Sequence, residues 1–263
     1  MTTIGNVESL WRYPVKSMSG EVVPEAFMSF SGFFGDRRFA IVDSAARKGF
    51  PYLTATSQAE MLRYQPQFRY PERAAMPPNL FEAMSIAPGV SPANGDADDL
   101  AVDVITPAGA VLPVEDPALL QMLADGMGEN HHLRLVCSDR ALIDCRPISL
   151  NSVQTMRELE VELGIPVDKR RFRANIYADF AAAGGLTEAE IVGRRLRIGS
   201  QAVITILERD PRCKMISLDP ETGAHNPEVL RKVAQAHETY SGVYCAVLVE
   251  GVLTSGDPIE LLD

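Results

Sequence analysis

Apolar and polar residues alternate along residues 5–11, and the β-branched run Arg38-Phe39-Ala40-Ile41-Val42-Asp43 closes in an Asp-Ser turn, so both segments are predicted to be strands. Further strands are expected at residues 100–106, 133–137, 175–179, 196–198, 202–207 and 246–250. Helical spacing is rarer. Val153, Met156, Leu159 and Leu163 form a stripe that predicts a helix over residues 152–163. Shorter helices are expected over residues 57–62, over 117–123 after Asp116-Pro117, and over 228–237 after Asn226-Pro227. Strands therefore outnumber helices, and the β-rich segments are expected to form the core. Residues 77–99 are rich in Pro, Ala, Gly, Asn and Asp with little periodicity, which predicts a long loop. The helix-then-strand pattern starts afresh near residues 115–117, and the expected division is into residues 1–116 and 117–263.

Composition adds limits to this picture. With 263 residues, 46% of them hydrophobic and 23% charged, the chain can bury a sizeable core and lacks the signature of global disorder. Its formal charge of −10 argues against nucleic acid and anionic membrane surfaces as partners. No run approaches the ~20 apolar residues of a membrane-spanning helix. The opening Met1-Thr2-Thr3-Ile4-Gly5-Asn6 lacks the basic and apolar regions of a signal peptide. Cys137, Cys145, Cys213 and Cys245 form no C-x-x-C pair. Reduced thiols in a cytoplasmic protein are the expectation, in place of a zinc site or a disulfide framework.

Four segments carry residues suited to chemistry. In Tyr13-Pro14-Val15-Lys16-Ser17-Met18-Ser19-Gly20 a cation and two hydroxyls sit in a Pro-to-Gly loop, which either presents charge and amides to an anion or is a solvated turn. Gly32-Phe33-Phe34-Gly35-Asp36-Arg37-Arg38 sets two arginines before a strand; their planar forks suit phosphate, the alternative being a surface ion pair with Asp36. Lys169-Arg170-Arg171-Phe172-Arg173-Ala174-Asn175 concentrates four cations in an otherwise acidic chain. It is either a solvated basic face or, since Arg173 and Asn175 would share a strand parity, a pair aimed at a ligand. In Glu208-Arg209-Asp210-Pro211-Arg212-Cys213-Lys214 a thiol sits between two cations, a setting that favours the thiolate over an inert packed cysteine. The other cysteines are expected to be packing residues. His131, His132, His225 and His237 show no ligand spacing, and no G-x-S-x-G, Walker or G-x-G-x-x-G element supports a hydrolase or nucleotidase.

Taken in order, Tyr13-Pro14-Val15-Lys16-Ser17, Gly35-Asp36-Arg37-Arg38, Phe172-Arg173-Ala174-Asn175-Ile176, Arg212-Cys213 and Asp219-Pro220-Glu221-Thr222-Gly223 resemble the MOSC superfamily. Gly251-Val252-Leu253-Thr254-Ser255-Gly256-Asp257-Pro258-Ile259 is similar to the final strand pair of a MOSC barrel. The resemblance spans nearly the whole chain. It implies a β-rich α+β protein, in which a MOSC-type β-barrel packs against an N-terminal β-barrel-like domain. No C-terminal ferredoxin-like extension, as some bacterial relatives carry, is expected.

Members of this superfamily include the mitochondrial amidoxime reducing component, which holds the molybdenum cofactor and reduces N-hydroxylated compounds, and the C-terminal part of molybdenum cofactor sulfurases. By that resemblance Cys213 is implied as the protein thiolate on molybdenum and the catalytic position. Lys16, Ser17, Arg37, Arg173, Asn175 and Arg212 are implied against the pterin (molybdopterin) or its phosphate. Ser149 and Ser152, from Pro147-Ile148-Ser149-Leu150-Asn151-Ser152, are implied as hydroxyl groups that help seat it. Three functions follow as expectations: an oxidoreductase acting on a small-molecule N–O substrate with electrons from a separate protein; a sulfur-transfer or C–S bond enzyme using Cys213 as persulfide carrier or nucleophile; and a non-catalytic carrier of the cofactor.

Overall fold

The computed structural model describes residues 2–86, 92, 95–181 and 187–262. β1 (Thr2–Arg12) buries Ile4, Val7 and Leu10 while Asn6 and Glu8 face solvent, as its alternation predicts. It is followed by β2 (Glu21–Val23), β3 (Glu25–Ser29), β4 (Gly32–Phe33), β5 (Phe39–Asp43), β6 (Gln65–Phe68), helix α1 (Leu80–Ile86), β7 (Val102–Ile105), β8 (Val111–Pro113), helix α2 (Pro117–Ala124) and β9 (Leu133–Cys137). The second half runs β10 (Ile148–Ser152), α3 (Val153–Leu163), β11 (Ile176–Asp179), β12 (Arg195–Ile198), β13 (Ala202–Pro211), α4 (Pro227–Ala236), β14 (Tyr240–Val249), β15 (Gly251–Thr254) and β16 (Pro258–Leu262).

Seven strands close into a barrel in the order β11, β10, β14, β13, β12, β16, β1, and β1 returns to pair with β11. Neighbours are antiparallel except β10 and β11, which run parallel because α3 carries the chain back between them. Ile4, Leu10, Leu150, Ile176, Leu196 and Ile204 are among the side chains that fill the interior. Each such side chain contributes about 1.5–3 kcal/mol by leaving water. The fold is therefore β-rich α+β.

Short sheets pack beside the barrel. β5 pairs with β9, β6 to β8 form a ribbon, and β3 joins β4 to β15, which ties the first half of the chain to its last strands. Val15, Phe39, Ile41, Leu53, Met61 and Leu119 belong to a second apolar cluster there. Met156 and Leu159 of α3 meet Val229 and Val233 of α4 over Phe172 and Ile216. α3 starts on Ser152, whose hydroxyl accepts from the Thr155 amide, and stops at Gly164 in a left-handed conformation.

The structure extends two strands beyond their expected ends. β13 runs on to Pro211 and β14 begins at Tyr240, because bulges between Ile206 and Glu208 and between Arg209 and Pro211 let the pairing continue where simple alternation is lost. Residues 57–62 give a 3₁₀ turn, Ala59–Arg63, in place of an α-helix. Helix α1 lies inside the stretch expected to be a loop, with Leu80 and Ala83 buried one turn apart. The rest of that expectation falls partly on residues 87–91, 93 and 94, outside the described residues. Among the described residues no helix is long and apolar enough to cross a membrane.

The barrel seam makes a testable demand. A Cβ on Gly5 would stand 2.1 Å from the Asp179 carbonyl oxygen of β11. Gly5→Ala is expected to lose about 3 kcal/mol or more in urea unfolding, because backbone on both sides must part. Gly49→Ala, with φ of +85° and nothing within 4 Å, should lose only the left-handed backbone cost of about 1–2 kcal/mol.

Candidate functional site

A cavity of about 210 Å³ opens where the β13 end of the barrel meets the loops of the first half. Lys16, Ser17, Arg37, Ser149, Arg173, Asn175, Arg212 and Cys213 all line it. Of the residues that the resemblance implies as cofactor contacts, only Ser152 is missing from the wall.

The chain beyond β1 brings the first group in. Residues 13–16 run beside residues 37–39: the Arg37 amide donates to Tyr13 O (2.7 Å), the Phe39 amide to Pro14 O (3.1 Å) and the Lys16 amide to Phe39 O (2.8 Å). Lys16 and Arg37 thus emerge together. The second half adds Arg173, left at the end of a 3₁₀ turn (Lys169–Phe172) that Asp168 caps. Ser17, Arg37 and Arg173 have φ of 69°, 46° and 54°, a left-handed backbone unusual outside glycine. Such strain costs about 1–2 kcal/mol per residue and is held by the surrounding packing.

Asp36 organises these cations from behind. It is 2% exposed, accepts from the Tyr13 amide (2.7 Å) and from Asn175 Nδ2 (3.2 Å), and is ion-paired with Arg37. The surface ion pair that was one alternative for this loop is in fact a buried one. Burial works against the charge on Arg37, but Asp36, with Tyr13 and Asp144, more than offsets it and raises the guanidinium's proton affinity. Arg37 and Arg173 both stack on the Tyr13 ring, 4.7 and 4.3 Å from its centroid. Burial lowers the proton affinity of Arg173, which donates to Met18 O at 2.8 Å. Burial likewise lowers that of Lys16, against the opposing pull of its ion-pair partner Asp144.

Arg173 and Asn175 reach the cavity by a different route from shared strand parity. Arg173 precedes the strand in a left-handed turn, whereas Asn175 braces the seam, with Nδ2 also donating to Trp11 O (3.3 Å) and Oδ1 accepting from the Ser149 amide (3.3 Å). Five cations line the cavity (Lys16, Arg37, Arg146, Arg173, Arg212) against two carboxylates (Asp144, Asp210). In a chain of net charge −10 this is a local reversal of sign that suits an anion. Nη2 of Arg173 is buried with no hydrogen-bond partner. Nη2 of Arg212 is likewise unbonded, although an Asp210 oxygen lies 2.9 Å away. Buried donors left this way favour a further acceptor.

Cys213 is exposed at the wall, at the start of a 3₁₀ turn (Lys214–Ser217). Its flanking cations are committed elsewhere: Arg212 donates to Ser241 O (2.5 Å) and Phe172 O (3.0 Å), and Lys214 to Thr56 O (3.0 Å). Activation of the thiol by those two neighbours, expected from their adjacency in sequence, is therefore not built into their contacts. Gly242 permits the Arg212 arrangement, since a Cβ there would lie 2.7 Å from Arg212 Nη2. Cys245 is buried in the barrel, and burial raises its pKa, as a packing cysteine should show. Cys137 and Cys145 are exposed instead, and Cys145 lines the same cavity as Cys213.

Ser152 caps α3 and does not line the cavity. It is fully buried, its hydroxyl donates to Thr155 Oγ1 (3.1 Å), and its amide donates to Glu188 (3.0 Å). Arg38 turns away to Asp139 (3.0 Å), so the arginine pair is split. Lys169 pairs outward with Glu8 and Arg170 with Asp168 and Glu221, so that part of the basic run is a solvated face, while Arg171 is largely buried against Asp219. Sequence reasoning missed Asp210 and Tyr244 as wall residues, and the strap of residues 143–146.

The family model described as "MOSC domain" matches residues 131–260, and that described as "MOSC N-terminal beta barrel domain" matches residues 4–77. Among solved structures, the YUAD protein from Bacillus subtilis is 13% identical, with a TM-score of 0.46 over 98% of this chain and 94% of that one. YiiM from Geobacillus stearothermophilus is 21% identical, with a TM-score of 0.37 over 49% of this chain and 67% of that one. YiiM from Escherichia coli is 17% identical, with a TM-score of 0.32 over 45% and 55%. No curated protein matches the chain.

The pair behind the cavity can be tested by denaturation. Asp36 and Arg37 side chains are 0% and 15% exposed. Asp36→Ala strands a buried guanidinium and is expected to lose about 3–5 kcal/mol. Asp36→Asn keeps acceptors for the Tyr13 amide and should lose less.

Proposed function

This chain belongs to the MOSC superfamily, and from that we propose that it is a molybdenum-cofactor-binding oxidoreductase that reduces N-hydroxylated or similar N–O substrates with electrons from a separate protein. The observation that carries the proposal is the cavity itself, where five cations and the exposed Cys213 thiol share one wall. A pterin phosphate fits those cations and would meet the unbonded Nη2 of Arg173. Molybdenum is a soft metal suited to thiolate, and when bound it supplies two-electron redox chemistry. Lys16, Ser17, Arg37, Arg173 and Arg212 would hold the anionic part, with Ser149 and Asn175 at its edge. The chain's own work is to orient that group on a rigid floor: Tyr13 beneath the two arginines and Asp36 behind them.

Protein made in a host that synthesises the cofactor is expected to carry molybdenum by elemental analysis and to release a fluorescent pterin derivative on oxidation. Arg173→Ala and Arg37→Ala should each lower retained pterin by about tenfold or more, since hydrogen bonds to charged groups contribute about 1.5–3 kcal/mol. A wild-type chain with neither metal nor pterin would sink the proposal.

One observation favours a second reading, sulfur transfer with Cys213 as persulfide carrier: Cys145 supplies another exposed thiol in the same cavity. On that reading, the Cys213 thiolate takes a sulfane sulfur from polysulfide, the shortened polysulfide leaves, and intact mass gains one sulfur, a gain absent from Cys213→Ala. An unmodified wild-type chain counts against it.

A further inference from the structure

Two wall residues have no part in holding an anion. Asp210 carries a carboxylate whose side chain is 3% exposed, on the bulged end of β13 and three positions before Cys213. The hydroxyl of Tyr244, on the neighbouring β14, donates a hydrogen bond to it, and Tyr244 is half-buried where Asp210 is buried. Both line the cavity. The pair therefore forms a short file from the interior to the cavity.

We propose that Asp210 and Tyr244 are the proton-delivery path of this cavity, the carboxyl holding a proton and the phenol passing it to a ligand bound beside Cys213. The inference rests on the reductase reading for its reaction. Breaking an N–O bond takes two electrons, here from the separate donor protein, and two protons. The leaving hydroxyl oxygen takes the phenol proton of Tyr244 and departs as water, while the phenol oxygen takes the proton of the Asp210 carboxyl, which reverses the hydrogen bond between the two. The nitrogen takes a second proton from solvent and becomes N–H. Asp210 is left as a carboxylate facing Arg212, and solvent reprotonates it.

The surroundings fit that task. Facing Asp210 are Arg212 from its own strand end, Tyr244 and the Cys245 thiol from β14, Asp144 from the strap, and Arg37 from the loop before β5. Burial raises the carboxyl to about 6 while Arg212 and the Tyr244 hydrogen bond oppose the rise. A donor is most effective when its pKa lies near the working pH. None of the four histidines lines the cavity, and all four are among the described residues. Lys16 is pinned by Leu142 O (2.8 Å) and by Asp144, beneath the rings of Phe50 and Tyr52.

Two measurements test this. Infrared difference titration of the isolated protein should show a protonated-carboxyl band that fades as pH rises through about 6 and is missing from Asp210→Asn. Cofactor-loaded protein reducing benzamidoxime with reduced methyl viologen should lose kcat about tenfold per pH unit above that value, with KM little changed. Asp210→Asn should lower kcat by about 10²–10⁴-fold and flatten the profile, and Tyr244→Phe should lower kcat but keep the break. A wild-type kcat and pH profile in Asp210→Asn, or a band that this variant retains, overturns the inference. A chain that holds no molybdenum fails the reductase reading separately, and the infrared titration then decides the fate of Asp210 alone.

Discussion

Everything at the cavity depends on one buried carboxylate. Asp36 accepts from the backbone of residue 13, the side chain of residue 175 and the guanidinium of residue 37, so three separate stretches of chain are fixed to one point. An isolated carboxylate in that position would be strongly disfavoured, and its three donors are what make it stable. In return it holds Arg37 and the backbone of Tyr13, on whose ring Arg37 and Arg173 both stack with their own backbones in a strained region, a geometry that exposed side chains would abandon for entropy. The cations can therefore meet an anion already in place.

The barrel supplies the second constraint. Its interior holds a large apolar cluster, and at one end bulges interrupt the regular pairing of β13 and β14. That transition brings Asp210, Arg212, Cys213 and Tyr244 to the same rim. A strand without bulges would run on past the rim, and its charged residues would alternate into solvent or into the core.

Much of this was legible in the residues. Alternation found most of the barrel strands, the stripe of Met156 and Leu159 found α3, and the ordered motifs around Lys16, Arg37, Arg173 and Cys213 fell on one cavity. The failures have physical causes. Ser152 lies where a strand becomes a helix, and a hydroxyl there serves the helix amides as readily as a ligand. Arg212 and Lys214 flank the thiol in sequence, but long side chains reach several ångströms from their Cα, so adjacency did not predict what they contact. Cys145 sits on a strap without regular structure, where no periodicity announces a position. Tyr244 hid in a strand whose start is masked by Ser241-Gly242.

The closure of the barrel also bears on how the molecule is made. β1 pairs with β11 and with β16, whose partner positions run from Pro258 to Leu261. Apart from the short β2 at its far end, its barrel neighbours lie far away along the chain. Contacts this distant in sequence slow folding and leave an apolar edge uncovered during synthesis. The same stitch that closes the barrel therefore also makes its nascent form dependent on strands made long after β1.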